Sequence, residues 1–303
     1  MDNSGPSILD QAENLGFTRD EDFWYDDGSI ILIAQDVGFR VYRGLLVKLS
    51  EIFRDLFTVP QPPHGQLVCG CPVVHLPDTA ASLREFLEAL LHGKRYVPED
   101  DGELDHLSYR IRLSHKYGIE YLLKESIQQL QALFPTRFDD WADLNPSGPY
   151  SALRAITAVN LARLTDTPSI LPSAIYACCQ LLDQVLLEGA THLDGTIETL
   201  GRGDLIKCMK AKVKFTCMQT HMVHQQFRVA VAQLSTENRG PGILEPWGDL
   251  LCADSATVGI ADANALRPCA RCMSDVGRRI DSEHREWWCS LPEDVGIEVD
   301  DWE

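Results

Sequence analysis

Ten cysteines and nine histidines are the side chains in this 303-residue sequence best suited to chemistry beyond packing. Cys269 and Cys272 stand at the knuckle spacing that lets two thiolates reach one zinc ion, and Cys252 and Cys289 flank the pair at equal separations. A second set is Cys208, Cys217, His221 and His224. On a helix, Cys217 and His221 are i, i+4 neighbours and His221 and His224 are i, i+3, so the three share a face. Both sets have a plainer reading. The first lacks a second knuckle, and helical histidines beside Lys212 and Lys214 ordinarily face solvent. The thiols are too sparse for a disulfide framework, and in a reducing compartment they pack as small apolar groups. The expectation is no cofactor and no bound metal. The alternative is an enzyme or a structural domain organised on zinc in the Cys-rich carboxy-terminal region, with Cys269 and Cys272 as its ligands.

Other catalytic signatures are missing from the sequence. There is no G-x-S-x-G and no H-E-x-x-H. Gly201-x-Gly203 lacks the third glycine of a dinucleotide fingerprint, and Gly93-Lys94 lacks the rest of a phosphate loop. The carboxylates cluster as Asp26-Asp27, Glu99-Asp100-Asp101 and Asp300-Asp301. Adjacent acids in loops are solvated charge, without the burial that tunes a general acid or base. The basic run Lys207, Lys210, Lys212 and Lys214 reads as a solvated helix face or a dock for an acidic segment. The net charge of −18 repels phosphate. Nucleic acid and anionic membrane surfaces are therefore not expected partners. No apolar run is long enough to span a bilayer, and the first residues do not read as a signal peptide. A cytoplasmic or nuclear protein is expected.

The elements that position these residues fall into two regions. Residues 1–21 read as a flexible lead. Strands are predicted over about 29–35 and 39–43, joined by a turn at Asp36-Val37-Gly38. Leu45, Leu49, Ile52, Phe53 and Leu56 then lie at one helical face. "CPVVHLPD" gives a third strand, placed at a sheet edge by Pro72 and Pro77. Asp78 or Thr79 caps the next helix, whose face is Leu83, Phe86, Leu87, Leu90 and Leu91, and Gly93 ends it. Two more helices end near Gly118 and Pro135. Residues 135–149 read as a linker. Beyond them the pattern is helical, over 150–165, 173–188, about 204–235 and 270–288, with no further strand. The acidic tail carries Trp287, Trp288 and Trp302 and is expected to fold back.

The order of elements over 22–134 resembles a BTB/POZ domain. That family's core phrase, F-x-x-H-[KR]-x-x-L-x-x-x-S-x-x-F, is matched in register by Phe39, Arg43, Leu46, Ser50 and Phe53, with Tyr42 where histidine is usual. Asp27 stands near the family's acidic residue before the first strand. "VVHLPD", "LREFLEALLHGKRY" and "LSHKYGIEYLLKESIQQL" are similar to its later strand and helices. The whole chain is similar to fungal BTB proteins with a helical carboxy-terminal region, 150–303 here. The resemblance implies a small mixed α+β sheet covered by helices. It also implies a non-enzymatic function: binding of protein partners, homodimerisation through the leading segment and first helix, and no small-molecule substrate. The roles it suggests are ubiquitin-ligase adaptor or transcriptional co-regulator. Phe23, Trp24 and Tyr25, an aromatic run among acids, are the candidate interface.

If the thiols are ordinary apolar side chains, treating the purified chain with a strong chelator leaves its melting temperature unchanged. A large drop would instead show that metal contributes to folding.

Overall fold

The computed structural model describes residues 16–58, 67–93, 104–144, 152–235 and 270–303. The architecture is mixed α+β, and the chain divides into two units, Met1–Gln129 and Leu130–Glu303.

The first unit is built on strands β1 (Thr18–Trp24), β2 (Ile30–Ala34), β3 (Val37–Val41), β4 (Leu67–Val68) and β5 (Cys71–Leu76). Among the described residues these form one five-stranded sheet in the order β1-β3-β2-β5-β4. The β2–β3 hairpin is antiparallel, whereas β1 runs parallel to β3 and β5 parallel to β2. All of β2 is buried, as befits a continuous apolar run in a strand covered on both faces. Ile30, Leu32 and Ala34 enter the main core with Phe39, Val41, Leu83, Phe86 and Leu87. Ile31 and Ile33 face the other way, under Phe17 and Trp24.

Several expectations are corrected in this unit. Strand β1 begins at Thr18, inside the stretch read as a lead. Its register shifts between Arg19 and Trp24, and the buried Asp20 carboxylate holds the bulge. Its Oδ1 accepts from the Asp22 and Phe23 amides at 3.0 Å each, and its Oδ2 from Arg84 Nε at 2.8 Å. The hairpin turn is Gln35-Asp36, with Gln35 at φ 53°. Gly38 lies within β3 instead, because the Phe17 ring covers it: a Cβ there would sit 2.3 Å from a ring carbon. Strand β5 is not a simple edge, since β4 pairs with it at Cys71 and Pro72.

The single helix expected over 45–56 is two, α1 (Arg43–Leu49) and α2 (Glu51–Thr58). Ser50 breaks them with extended backbone, φ −139° and ψ 123°. Its hydroxyl donates to the Tyr117 carbonyl at 2.5 Å and accepts from the Phe53 amide at 3.0 Å. The break turns the apolar face: Leu46 and Phe53 are fully buried, while Leu45 and Ile52 are exposed. Helix α3 (Ala80–His92) starts and stops as its sequence implies. Thr79 Oγ1 accepts from the Ser82 amide at 3.2 Å, and Gly93 ends it in the left-handed region at φ 69°. Helices α4 (Asp105–Lys116) and α5 (Glu120–Leu133) follow.

The second unit packs around α8 (Leu171–Cys179), all nine residues of which are buried. The expected linker contains α6 (Phe138–Leu144), whose Trp141 is buried. Helix α7 (Ala152–Leu164) follows as expected. The helix expected over 173–188 is broken into α8 and α9 (Asp183–Glu188), and Leu182, at the break, is 75% exposed. Against the expectation of no further strand, a short hairpin pairs β6 (Ala190–Thr191) with β7 (Ile197–Glu198). Helices α10 (Arg202–Ser235) and α11 (Ala270–Val295) complete the described part. The tail folds back: Trp288 is fully buried and donates to the Thr136 carbonyl at 2.8 Å, and Trp302 stacks on it at 4.9 Å. Two of the four lysines of the basic run meet this segment. Lys207 donates to the Gly296 carbonyl at 2.9 Å, and Lys214 forms an ion pair with Asp294.

The Ser50 junction carries the prediction. Ser50→Ala leaves the Phe53 amide and the Tyr117 carbonyl without this partner in a buried site, and the expected loss is about 1–3 kcal/mol. Urea unfolding should show a lower midpoint at unchanged slope. A loss under about 0.5 kcal/mol, the size of an ordinary surface substitution, would contradict the role given to the hydroxyl.

Candidate interaction surface

The family-phrase residues fall into two groups. Phe39, Leu46, Ser50 and Phe53 are buried. They meet Tyr117, whose ring stacks on Phe53 at 4.3 Å and lies 5.8 Å from Phe86. The Tyr117 hydroxyl donates to Asp78, which also pairs with Lys116 Nζ at 2.6 Å. Burial first, and then this hydrogen bond, push the Tyr117 phenol well above its ordinary range.

Tyr42, Arg43 and Asp27 lie at the surface. The Tyr42 hydroxyl donates to Asp27 Oδ1 at 2.8 Å, and that bond raises the Tyr42 pKa. Its ring stacks on Tyr25 at 5.1 Å. Arg43 begins α1, its amide bonded to Ser29 Oγ at 3.1 Å and its guanidinium over the Phe57 ring.

The aromatic run 23–25 does not act as one surface. Successive strand residues point to opposite faces, so Phe23 enters the main core and Trp24 covers Ile31 and Ile33. Phe23 is fully buried, which removes it from any interface. Trp24 is half-buried, with the Arg19 guanidinium 4.8 Å from its ring centre. Tyr25 alone continues outward to Tyr42. Its hydroxyl donates to His92 Nε2 at 2.9 Å, because His92 Nδ1–H is given to the Glu88 carboxylate at 3.0 Å.

What remains outside is an apolar face on α1 and α2. Tyr42 is 38%, Leu45 36% and Ile52 44% exposed. Ile52 lies against Gly118, at the turn into α5. Tyr121, on the first turn of α5, is 53% exposed. Titratable groups elsewhere in this unit are tied up structurally. Arg110 Nε donates to Glu85 Oε1 at 2.5 Å and His106 Nδ1 to Glu85 Oε2 at 2.8 Å, joining α4 to α3. The buried Glu85–Arg110 pair and Asp20 were not singled out in the sequence. They sit among solvated-looking charges, and only the fold buries them.

In the second unit, Cys208 and Cys217 of the candidate metal set lie in different surroundings. Cys208 is buried against Cys178 and Cys179 of α8. Cys217 and His221 instead line a cleft of about 640 Å³ between α10 and α11, with Lys214, Glu283, Glu286 and Trp287. Cys252, Cys269 and the side chains of Cys272 and His224 lie outside the described residues. Among the described residues, no group of three or more His, Cys, Asp or Glu side chains is arranged to hold a metal ion, and no helix is long and apolar enough to cross a membrane. No protein-family model matches the chain, and no curated protein matches it.

An unfolded tyrosine loses its proton near pH 10. With the folded Tyr117 pKa raised above that value, the stabilisation from its neutral form is whole below about pH 10 and is lost as pH rises beyond it. The slope is at most about 1.4 kcal/mol per pH unit. Tyr117→Phe should show a shallower alkaline decline in unfolding free energy than the natural protein. Equal slopes would contradict the assignment.

Proposed function

We propose that this chain is a non-enzymatic protein-interaction module that self-associates through the α1–α2 face of its first unit and recruits other proteins. The observation that carries the reading is the exposed set Tyr42, Leu45 and Ile52 on two short helices. Their inner faces are fixed by Leu46, Phe53 and the Ser50 bonds. Aromatic and large aliphatic groups on a rigid support lose little conformational freedom on docking, which favours association.

The BTB/POZ resemblance supports the same reading from the sequence side. It too assigns self-association to the leading segment and the first helix. The interface differs from the one expected at residues 23–25, since only Tyr25 of that run adjoins the exposed face. The roles proposed with the resemblance are those of an adaptor for a cullin-type ubiquitin ligase or of a transcriptional co-regulator, in the cytoplasm or nucleus. The strongly acidic surface fits protein partners and opposes nucleic acid.

Light scattering of the full chain at micromolar concentration should give twice the 33.9 kDa of one chain. Leu45→Asp and Ile52→Asp should each return the mass to that of one chain. Both sites are exposed, so circular dichroism and melting temperature should change little. A natural protein of single-chain mass, or a dimer that survives both substitutions, would overturn the reading.

A further inference from the structure

Helix α10 runs for 34 residues, Arg202–Ser235, and among the described residues only part of its surface is used for packing. Cys208, Ala211 and Phe215 are buried along one face, where the helix meets α8 and α11. The Phe215 ring lies edge-on to Tyr176 and Trp287, at 5.4 and 6.1 Å. Lysines hold the two flanks. Lys212 donates to the Leu181 carbonyl at 2.7 Å and pairs with Asp183 at 2.6 Å. Lys207 and Lys214 reach Gly296 and Asp294 at the end of α11. At 3.6 residues per turn, the face opposite Phe215 is that of Ile206, Met209 and Val213. It is open: these side chains are 44%, 50% and 67% exposed. Thr216 and Thr220, on the same face, are exposed as well.

The spacing of this face is that of a coiled-coil seam. Ile206, Met209, Val213, Thr216 and Thr220 follow one another in alternating steps of three and four. The sequence continues the alternation with Val223, Phe227, Ala230 and Leu234, to the last turn of the helix. Seven of these nine positions are apolar, over four heptads. Lys210 and Lys212 take the positions that flank such a seam, where charge selects the partner helix. The charge is also one-sided. From Leu205 to Ser235 there is no Asp or Glu, against Lys207, Lys210, Lys212, Lys214 and Arg228, in a chain whose net charge is −18. Pairing with a second copy would set cation against cation. An anionic membrane would be repelled by the rest of the chain. The complement is a helix with apolar residues at the same spacing and carboxylates beside them.

We propose that the outer face of α10 is a docking seam for an acidic amphipathic helix of a partner protein. The partner lays its apolar stripe along Ile206, Met209 and Val213, and its carboxylates meet Lys210 and Lys212. Lys210 is exposed, so its ammonium is placed for this pairing. Thr216 and Thr220 interrupt the apolar run, and a polar residue in a seam lowers its stability while fixing its register. The seam lies wholly in the second unit and stands whether or not the α1–α2 face self-associates. It gives the recruitment of other proteins a site and a partner chemistry.

The probe is a fluorescent synthetic peptide of four heptads with leucine at the seam and glutamate at the flanking positions, which repels itself and stays single-stranded. Its control carries lysine in place of glutamate. Fluorescence anisotropy with the full chain should show saturable binding of the acidic peptide, one per chain, and none of the basic one. Binding should weaken as salt is raised, because the charge pairs are exposed. Val213→Asp, at the most exposed of the three apolar positions, should weaken it by about ten-fold or more, with little change in melting temperature. Lys210→Glu should weaken the acidic peptide and favour the basic one, a reversal that lost packing alone does not produce. Leu45→Asp should leave binding unchanged, so a failure of self-association does not touch this result. No binding of the acidic peptide, equal binding of both peptides, or binding that survives Val213→Asp would overturn the proposal. So would a mass of the Leu45→Asp chain that rises with concentration and returns to one chain with Val213→Asp added, which would make the occupant a second copy. Sedimentation with anionic lipid vesicles that is lost in Val213→Asp would make it a membrane, and would equally overturn it.

Discussion

Two helix ends meet inside the first unit, and one hydroxyl satisfies them. A helix leaves unpaired carbonyls where it stops and unpaired amides where it starts. Between α1 and α2 both ends fall on Ser50, which is buried. The Ser50 amide returns to the Leu46 carbonyl at 3.0 Å, its side chain caps the Phe53 amide, and its proton goes to the Tyr117 carbonyl. That last bond ties the α1–α2 pair to the end of α4. It sets Phe53 flat against the Tyr117 ring and leaves Leu45 and Ile52 on the outside. A continuous helix would present a different face to the sheet. The proposed interaction surface therefore follows from where the chain breaks, and the break follows from Ser50.

The second unit answers to a different constraint. Helix α8 is buried on every side, so its polar groups must be met by neighbours or avoided. Its sequence is nearly all apolar, and its aromatic Tyr176 packs edge-on against Phe215 and Trp287 at 5.4 and 4.8 Å. The tryptophans of the tail complete this cover. The same burial brings Cys179 against Cys208, its thiol 3.4 Å from the Cys208 carbonyl.

Much of the fold was legible because its signals are local. The β2–β3 hairpin, the Thr79 cap, the Gly93 stop and the face of α3 each depend on a few adjacent residues. The misses share one cause: they are set by contacts distant in sequence. Strand β1 reads as polar because Asp20, Glu21 and Asp22 dominate it, yet Asp20 is buried by Arg84 of α3. The Ser50 break is hidden because the apolar spacing runs through it, and only the Tyr117 carbonyl makes the non-helical backbone favourable there. Gly38 looks like a turn residue until Phe17 is seen covering it. The residues proposed for function divide in the same way. The family phrase found Tyr42 and the core residues beneath the face, but Leu45 and Ile52 were assigned inward, and Cys208 was considered for metal because its true neighbours lie on another helix.

The central claim is that the α1–α2 face is covered in solution by a second copy of the chain. Hydrogen–deuterium exchange of the full chain, compared at dilute and at high protein concentration, tests it without any substitution. The account predicts that amides over residues 42–52 and around 118–121 exchange more slowly at the higher concentration, while the buried strands β2 and β3 are unchanged. Exchange over 42–52 that is independent of concentration, or slowing confined to other segments, would contradict it.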